Sequence, residues 1–216
     1  MSLDCRRSNA LISDMSGLTS LTKITGSLSI WGYCTSYNTD GGDSTNCARQ
    51  AASWEGFTEL VTIGGLVLNY NNRLTHIRMF PKLANITGLL DIQSQQLERL
   101  QSIDGLSNVT SVGGIQINRA SQLQSLDGLQ NVVTCNGNFK LWSLQSLTDG
   151  AVLSSLTRVN GDVEITGMGS LSSLSIFRSD ITITGTIKIA GNPLLCQIHV
   201  DDFCNKVWIE LCDRVR

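Results

Sequence analysis

A seven-residue phrase returns along this chain at a nearly fixed interval, and that recurrence limits the possible folds more than any other feature. The copies are ITGSLSI (24–30), IGGLVL (63–68), ITGLLDI (86–92), VGGIQI (112–117), CNGNFKL (135–141), VNGDVEI (159–165) and ITGTIKI (183–189). They share the order apolar, x, Gly, x, apolar, x, apolar, and two of them are one residue shorter. From Leu68 onward their last residues follow at steps of 24, 25, 24, 24 and 24. The first step is 38, which leaves about 14 residues for an insertion between Ile30 and Leu60. A unit this short cannot close a core alone. Copies must stack, merge their apolar rows and pair their backbone groups with neighbours.

Within each copy, alternate residues are apolar, the period of a half-buried strand. One inward row is Leu28, Leu66, Leu90, Ile115, Phe139, Val163 and Ile187; the next is Ile30, Leu68, Ile92, Ile117, Leu141, Ile165 and Ile189. Ahead of each strand the apolar residues fall every third position, as in Leu74-Ile77-Phe80-Leu83-Ile86 and Leu123-Leu126-Leu129-Val132-Cys135. That spacing fits neither a long helix nor a continuous strand. It fits a chain turning corners, and Asp104-Gly105, Asp127-Gly128 and Asp149-Gly150 supply turn chemistry at related points.

The expected fold is mainly β: a right-handed, single-stranded β-helix or solenoid, leucine-rich-repeat-like, of about seven coils of ~24 residues with helical end caps. It is read as one domain over 1–216. Residues 1–17 form an N-terminal cap, 18–195 the coils with an insertion at about 31–56, and 196–216 a C-terminal helical cap. For the caps, Val200, Phe203, Cys204, Val207, Trp208 and Leu211 make one helical stripe, and Leu11, Ile12 and Met15 a second over 4–16. The strand glycine is not typical of leucine-rich repeats, and the expected Asn or Cys ladder of that motif is absent.

Composition narrows the function. Charged residues are 16% and the net charge is −2, which gives no electrostatic footprint for nucleic acid or an anionic membrane. Apolar runs are too short to cross a bilayer. The opening Met1-Ser2-Leu3-Asp4 lacks the regions of a signal peptide, so it reads as a start placed on a mature or excised segment. Of seven cysteines, Cys5, Cys34 and Cys47 sit at one end, Cys196, Cys204 and Cys212 at the other, and Cys135 between. Clustering at the ends suggests disulfide-tied termini in an oxidising compartment. The ends of seven stacked coils lie roughly 30 Å apart, beyond disulfide reach, so pairing stays within each end. Cys204 lies on the helical stripe and reads as a buried thiol. Cys47 reads as unpaired or as closing the insertion with Cys34, and Cys135 shares a core row with Ile24, Ile63, Ile86, Val112, Val159 and Ile183.

The repeated I-x-G-x-L-x-I, the Leu-x-x-Leu-x-x-Leu lead-in and the closing Gly191-Asn192-Pro193-Leu194-Leu195-Cys196 resemble the receptor L domain. That module is the leucine-rich-like β-helix of insulin-receptor and epidermal-growth-factor-receptor ectodomains and of fungal and bacterial surface proteins. The resemblance spans roughly residues 5–212. It implies protein or glycan recognition outside the cell, and it implies the pairs Cys5–Cys34 and Cys196–Cys212. Nothing resembles the cysteine-rich region or kinase of those receptors.

Chemistry is sparse. His76 and His199 lie some five coils apart, and neither has Cys or carboxylate at ligand spacing, so no metal site, catalytic residue or cofactor is expected. No P-loop, nucleophile elbow or dinucleotide fingerprint occurs. Two outward rows remain. The first is Ser29, Val67, Asp91, Gln116, Lys140, Glu164 and Lys188, whose alternating charges read as pairing between strands. The second begins Trp31, Asn69, Gln93, Asn118, Trp142 and offers amides and flat rings to a protein or sugar, the proposed binding face. The insertion, with Tyr33, Tyr37 and Trp54, is a second candidate. The expected role is a non-enzymatic recognition module, secreted or surface-anchored, with a structural spacer or a glycan-active β-helix as alternatives.

Overall fold

The structure is a computed structural model that describes residues 3–5, 16–31, 56–69, 71, 74–93, 99–148, 153–207 and 212–214. The seven phrases become parallel strands: β2 (Lys23–Trp31), β3 (Thr62–Asn69), β4 (Asn85–Gln93) and β5 (Ser111–Asn118), then the split pairs β6 (Thr134–Cys135) with β7 (Phe139–Trp142), β8 (Arg158–Val159) with β9 (Val163–Thr166), and β10 (Thr182–Ile183) with β11 (Ile187–Ala190). Each pairs with the strand one repeat away: Leu66 stands beside Leu90, Leu90 beside Ile115, Ile115 beside Phe139, Phe139 beside Val163 and Val163 beside Ile187. The chain is thus a parallel β-solenoid of about five turns with one helix.

Both inward rows are core, and none of their fourteen residues is more than 5% exposed. The residues spaced by three close the other sides of each turn, and one apolar cluster runs unbroken from Ile24 to Val207. Cys135 is fully buried in its aliphatic row as a free thiol. Burial pushes its pKa up, and its Sγ donates to the Gly137 carbonyl at 3.3 Å.

The two short phrases find their place through β-bulges, which shift the register between Ile63 and Leu66 and between Ile86 and Leu89. The phrase glycine lies where one turn's backbone presses on the next. A side chain at Gly113 would strike the Thr87 and Gly88 carbonyl oxygens. Asp104-Gly105 and Asp127-Gly128 open 3-10 turns, Asp104–Leu106 and Asp127–Leu129. There the need for glycine is again closeness: Gly105 donates its N–H to the Ile77 carbonyl at 2.7 Å, and a Cβ would collide with that oxygen. Asp149-Gly150 lies outside the described residues.

A left-handed corner follows the main strand in successive turns, with φ of 59° at Arg119, 54° at Ser143, 69° at Gly167 and 63° at Gly191. The next residue is buried and apolar at Ala120, Leu144 and Met168 and is the half-buried Asn192 after Gly191, while Asn71, two residues beyond the end of β3, is a second, fully buried asparagine. Those amides donate to the preceding turn's carbonyls, Asn71 to Ile30 at 3.1 Å and Asn192 to Ile165 at 3.1 Å. In these two turns an asparagine side chain thus satisfies a carbonyl of the turn before.

The termini depart from the expected helices. Leu3–Cys5 is a strand, β1, parallel to β2, where a helix over 4–16 is expected; Leu11, Ile12 and Met15 lie outside the described residues. The single helix, α1 (Gln197–Lys206), buries Val200, Phe203 and Cys204 as its stripe predicts. It stops at Val207, whose ψ of 122° is extended, and Cys212–Arg214 returns as β12 beside β11. The physical reason is shared: an open sheet edge offers unpaired N–H and C=O groups, and short terminal segments satisfy them.

Candidate ligand-binding face

Strand alternation and register build one flat surface from the outward residues. Along β4 these are Leu89, Asp91 and Gln93. Across the strands Asp91 aligns with Gln116, Lys140, Glu164 and Lys188, and Gln93 with Asn118, Trp142, Thr166 and Ala190. Trp31 aligns with Asn69 through its backbone, and with its amide nitrogen turned toward β4 Asn69 donates to the Gln93 main-chain carbonyl. The residues predicted as a binding face thus stand in one row about 4.8 Å apart. Asn69, Gln93, Asn118 and Trp142 are half-buried. Tyr33, Tyr37 and Trp54 lie outside the described residues.

The charges on this face cancel in pairs. Glu164, whose side chain is 18% exposed, meets Lys188 at 2.9 Å and Lys140 at 3.9 Å. The Lys140 ammonium also stands 5.4 Å from the centre of the Trp142 ring. Asp162, one row over, accepts from both the Thr186 N–H at 2.8 Å and its hydroxyl at 2.9 Å. Those bonds hold its carboxyl below the usual range, with Lys140 helping. As the acids near Lys140, Glu164 and Asp162 are thus engaged by partners from the fold.

Asp91 differs. Burial beside Val67 pushes its pKa up, the Gln93 side chain only partly opposing this, and its Oδ1 is buried with no hydrogen-bond partner. Thr166 Oγ1 on the same face is likewise buried and unpartnered. An unmet buried acceptor costs on the order of 1–3 kcal/mol. Because the folded state holds the Asp91 proton more tightly than the unfolded chain, the penalty for burying its charge is absent in acid and grows as pH rises through and above the ordinary carboxylate range. Asp91→Asn should therefore raise the thermal midpoint near neutral pH, by no more than about 2 °C for a half-exposed group that solvent screens, and the gain should vanish in acid. Paired melts across pH check this; an equal gain at every pH would show that the carboxyl's charge is not the cause.

The cysteines correct part of the sequence reading. Cys196 is a free, exposed thiol and Cys204 is disulfide-bonded, so the expected Cys196–Cys212 link and the Cys204 thiol are both replaced. Position explains the exchange: Cys196 precedes α1 on its solvent side, whereas Cys204 is on the face turned to the solenoid. Cys5 and Cys212 have strand backbones in β1 and β12, while Cys34 and Cys47 fall outside the described residues. Asn108 donates its side-chain amide to the Pro81 carbonyl at 2.6 Å.

The His76 ring stands 2.9 Å from the neighbouring Thr75 hydroxyl, and that of His199 2.9 Å from the Ser172 carbonyl. Among the described residues no three His, Cys, Asp or Glu gather as a metal site, and no helix is long and apolar enough to cross a membrane. The residue that sequence reasoning passes over is Asp91. Its signal is a carboxylate flanked in its row by Val67 and Gln116, with no lysine or arginine beside it. Compared with known protein families, curated proteins and solved structures, the chain matches none.

Proposed function

We propose that this chain is a non-catalytic recognition module, secreted or held at a cell surface, that binds a protein or glycan across its sheet face. The observation that carries this reading is the row Asn69, Gln93, Asn118 and Trp142, half-buried and in strand register beside an acid with an unmet oxygen. Such a row offers donors, acceptors and a ring at fixed spacing without the cost of ordering a loop. The Cys204 disulfide supports an oxidising compartment. The finer architecture belongs to the same reading: a right-handed winding, seven coils counted from the seven phrases, and terminal segments closing both ends, as in the receptor L domain that the sequence resembles. Catalysis on this face has less support, because Glu164 sits between two ammonium groups and Asp162 is held by Thr186.

The test is a binding screen of the folded chain against secreted proteins and glycans, repeated with Trp31 and Trp142 changed together to Ala. Losing both rings should weaken any ligand at least tenfold, the scale of a hot-spot residue. Undiminished binding in that variant removes this face from the function. A chain that binds nothing in the screen leaves only the structural-spacer role.

A further inference from the structure

We infer that the patch formed by Asp91, Gln93, Gln116, Asn118 and Trp142 binds an uncharged oligosaccharide, its hydroxyls on the carboxylate and amides and its C–H face on the indole. This deepens the recognition reading and rests on it. The unmet oxygens come first. Asp91 Oδ1 and Thr166 Oγ1 are buried on one face without partners, and native folds leave few such atoms unexplained. Asp91 Oδ1 can only accept a hydrogen bond, whereas the Thr166 hydroxyl can also donate one, so a hydroxyl partner, which does both, suits either.

The surroundings say which donor. Gln116 stands beside Asp91, and Asn118 beside Gln93, so a carboxylate and three amides form a two-by-two set on β4 and β5. A side-chain amide both donates and accepts, and so does a hydroxyl. Adjacent hydroxyls on a sugar match such a set, each giving a proton to one group and taking one from another. One strand further on, half-buried Trp142 supplies the flat apolar surface that a pyranose ring stacks on.

Charge decides against the ionic alternatives. In its row Glu164 is engaged by Lys140 and Lys188, while Asp91 has no salt bridge among the described residues. A sulfated, phosphorylated or uronic-acid chain would be repelled at Asp91 and would find the cations of that row already paired. A protein partner fits less well, because interface centres need several large apolar anchors. Of the exposed large hydrophobics among the described residues, Val61, Leu89, Val133, Leu194 and Ile198, only Leu89 lies on this face.

The experiment is calorimetric titration of the whole chain with hexasaccharides of β-1,3-glucan, β-1,4-glucan, chitin and mannan, beside oligogalacturonate and a heparin hexasaccharide. At least one neutral sugar should bind, with an affinity that changes less than twofold between low and 1 M salt, since no ionic contact is screened. Trp142→Ala and Asp91→Ala should each weaken it at least tenfold, and Asp91→Asn, which keeps the fold, should weaken it measurably. Binding only to the acidic sugars, or a steep salt dependence, overturns the inference. If no sugar binds but a secreted protein does, and Trp142→Ala abolishes it, the sugar assignment fails while the recognition face stands. If nothing binds, and Trp31 and Trp142 changed together alter no interaction, both fail.

Discussion

Gly113→Val is expected to cost more than about 3 kcal/mol and to lower the thermal midpoint by roughly 10 °C. The Cβ alone would overlap the Thr87 and Gly88 carbonyl oxygens and the Gly88 Cα. All three are backbone atoms, so no side chain can rotate away. Relief requires β5 to lift from β4, which breaks ladder bonds along the register from Asn85–Ser111 to Gln93–Asn118. Overpacking a core typically costs 1–3 kcal/mol, and losing buried backbone pairs adds to it. The same constraint repeats up the stack: Gly88 faces the Gly64 carbonyl, and Gly137 faces that of Gly113. Gly17 is the control, with nothing within 4 Å of a Cβ, so Gly17→Ala should stay within about 0.5 kcal/mol of the parent. Urea melts followed by circular dichroism measure both; a Gly113→Val midpoint as close to the parent as that of the control would end the packing account of the repeat glycine.

The repeat was readable because stacking fixes it twice. An inward residue such as Ile115 must be apolar for the core, and a Gly113 must be small for the neighbouring backbone, so the phrase records both demands in one string. The outward rows were readable as positions, since period-two alternation settles which residues share a face. What those residues do was not. The sequence shows Asp91 and Glu164 as two acids in one row, and only the fold distinguishes Glu164, with two ammonium partners, from Asp91, whose Oδ1 has none among the described residues. The ends were less legible for a different reason. The helical stripe that begins at Val200 is α1 as far as Lys206, but it carries no information about the open edge of β11, which claims Cys212–Arg214 as β12. The disulfide was misassigned likewise, because Cys196 and Cys204 differ in which way they face and not in their spacing.

Phe177→Ala should cost about 3–5 kcal/mol, the range for deleting a buried aromatic ring. Phe177 is 6% exposed and bridges two other rings: Phe139 edge-on at 5.3 Å and Phe203 of α1 stacked at 5.5 Å. Its loss opens a cavity between the sheet and the helix at once. The informative measurement is a pair of double-mutant cycles. Phe177 and Phe203 share a contact, so their alanine variants should show a coupling of about 1 kcal/mol. Phe57 stacks on Phe80 at 5.6 Å near β3 and contributes to the same continuous cluster from the other end of the solenoid. If each turn is stabilised only by its neighbours, Phe57→Ala and Phe177→Ala must add without coupling. In chemical melts of the doubly substituted chain the two ends should then begin to unfold separately, with a reduced m-value as cooperativity breaks down. A single sharp transition with an undiminished m-value in that doubly substituted chain would mean that the solenoid unfolds as one unit. In that case a ligand on the central sheet face would stabilise both ends equally.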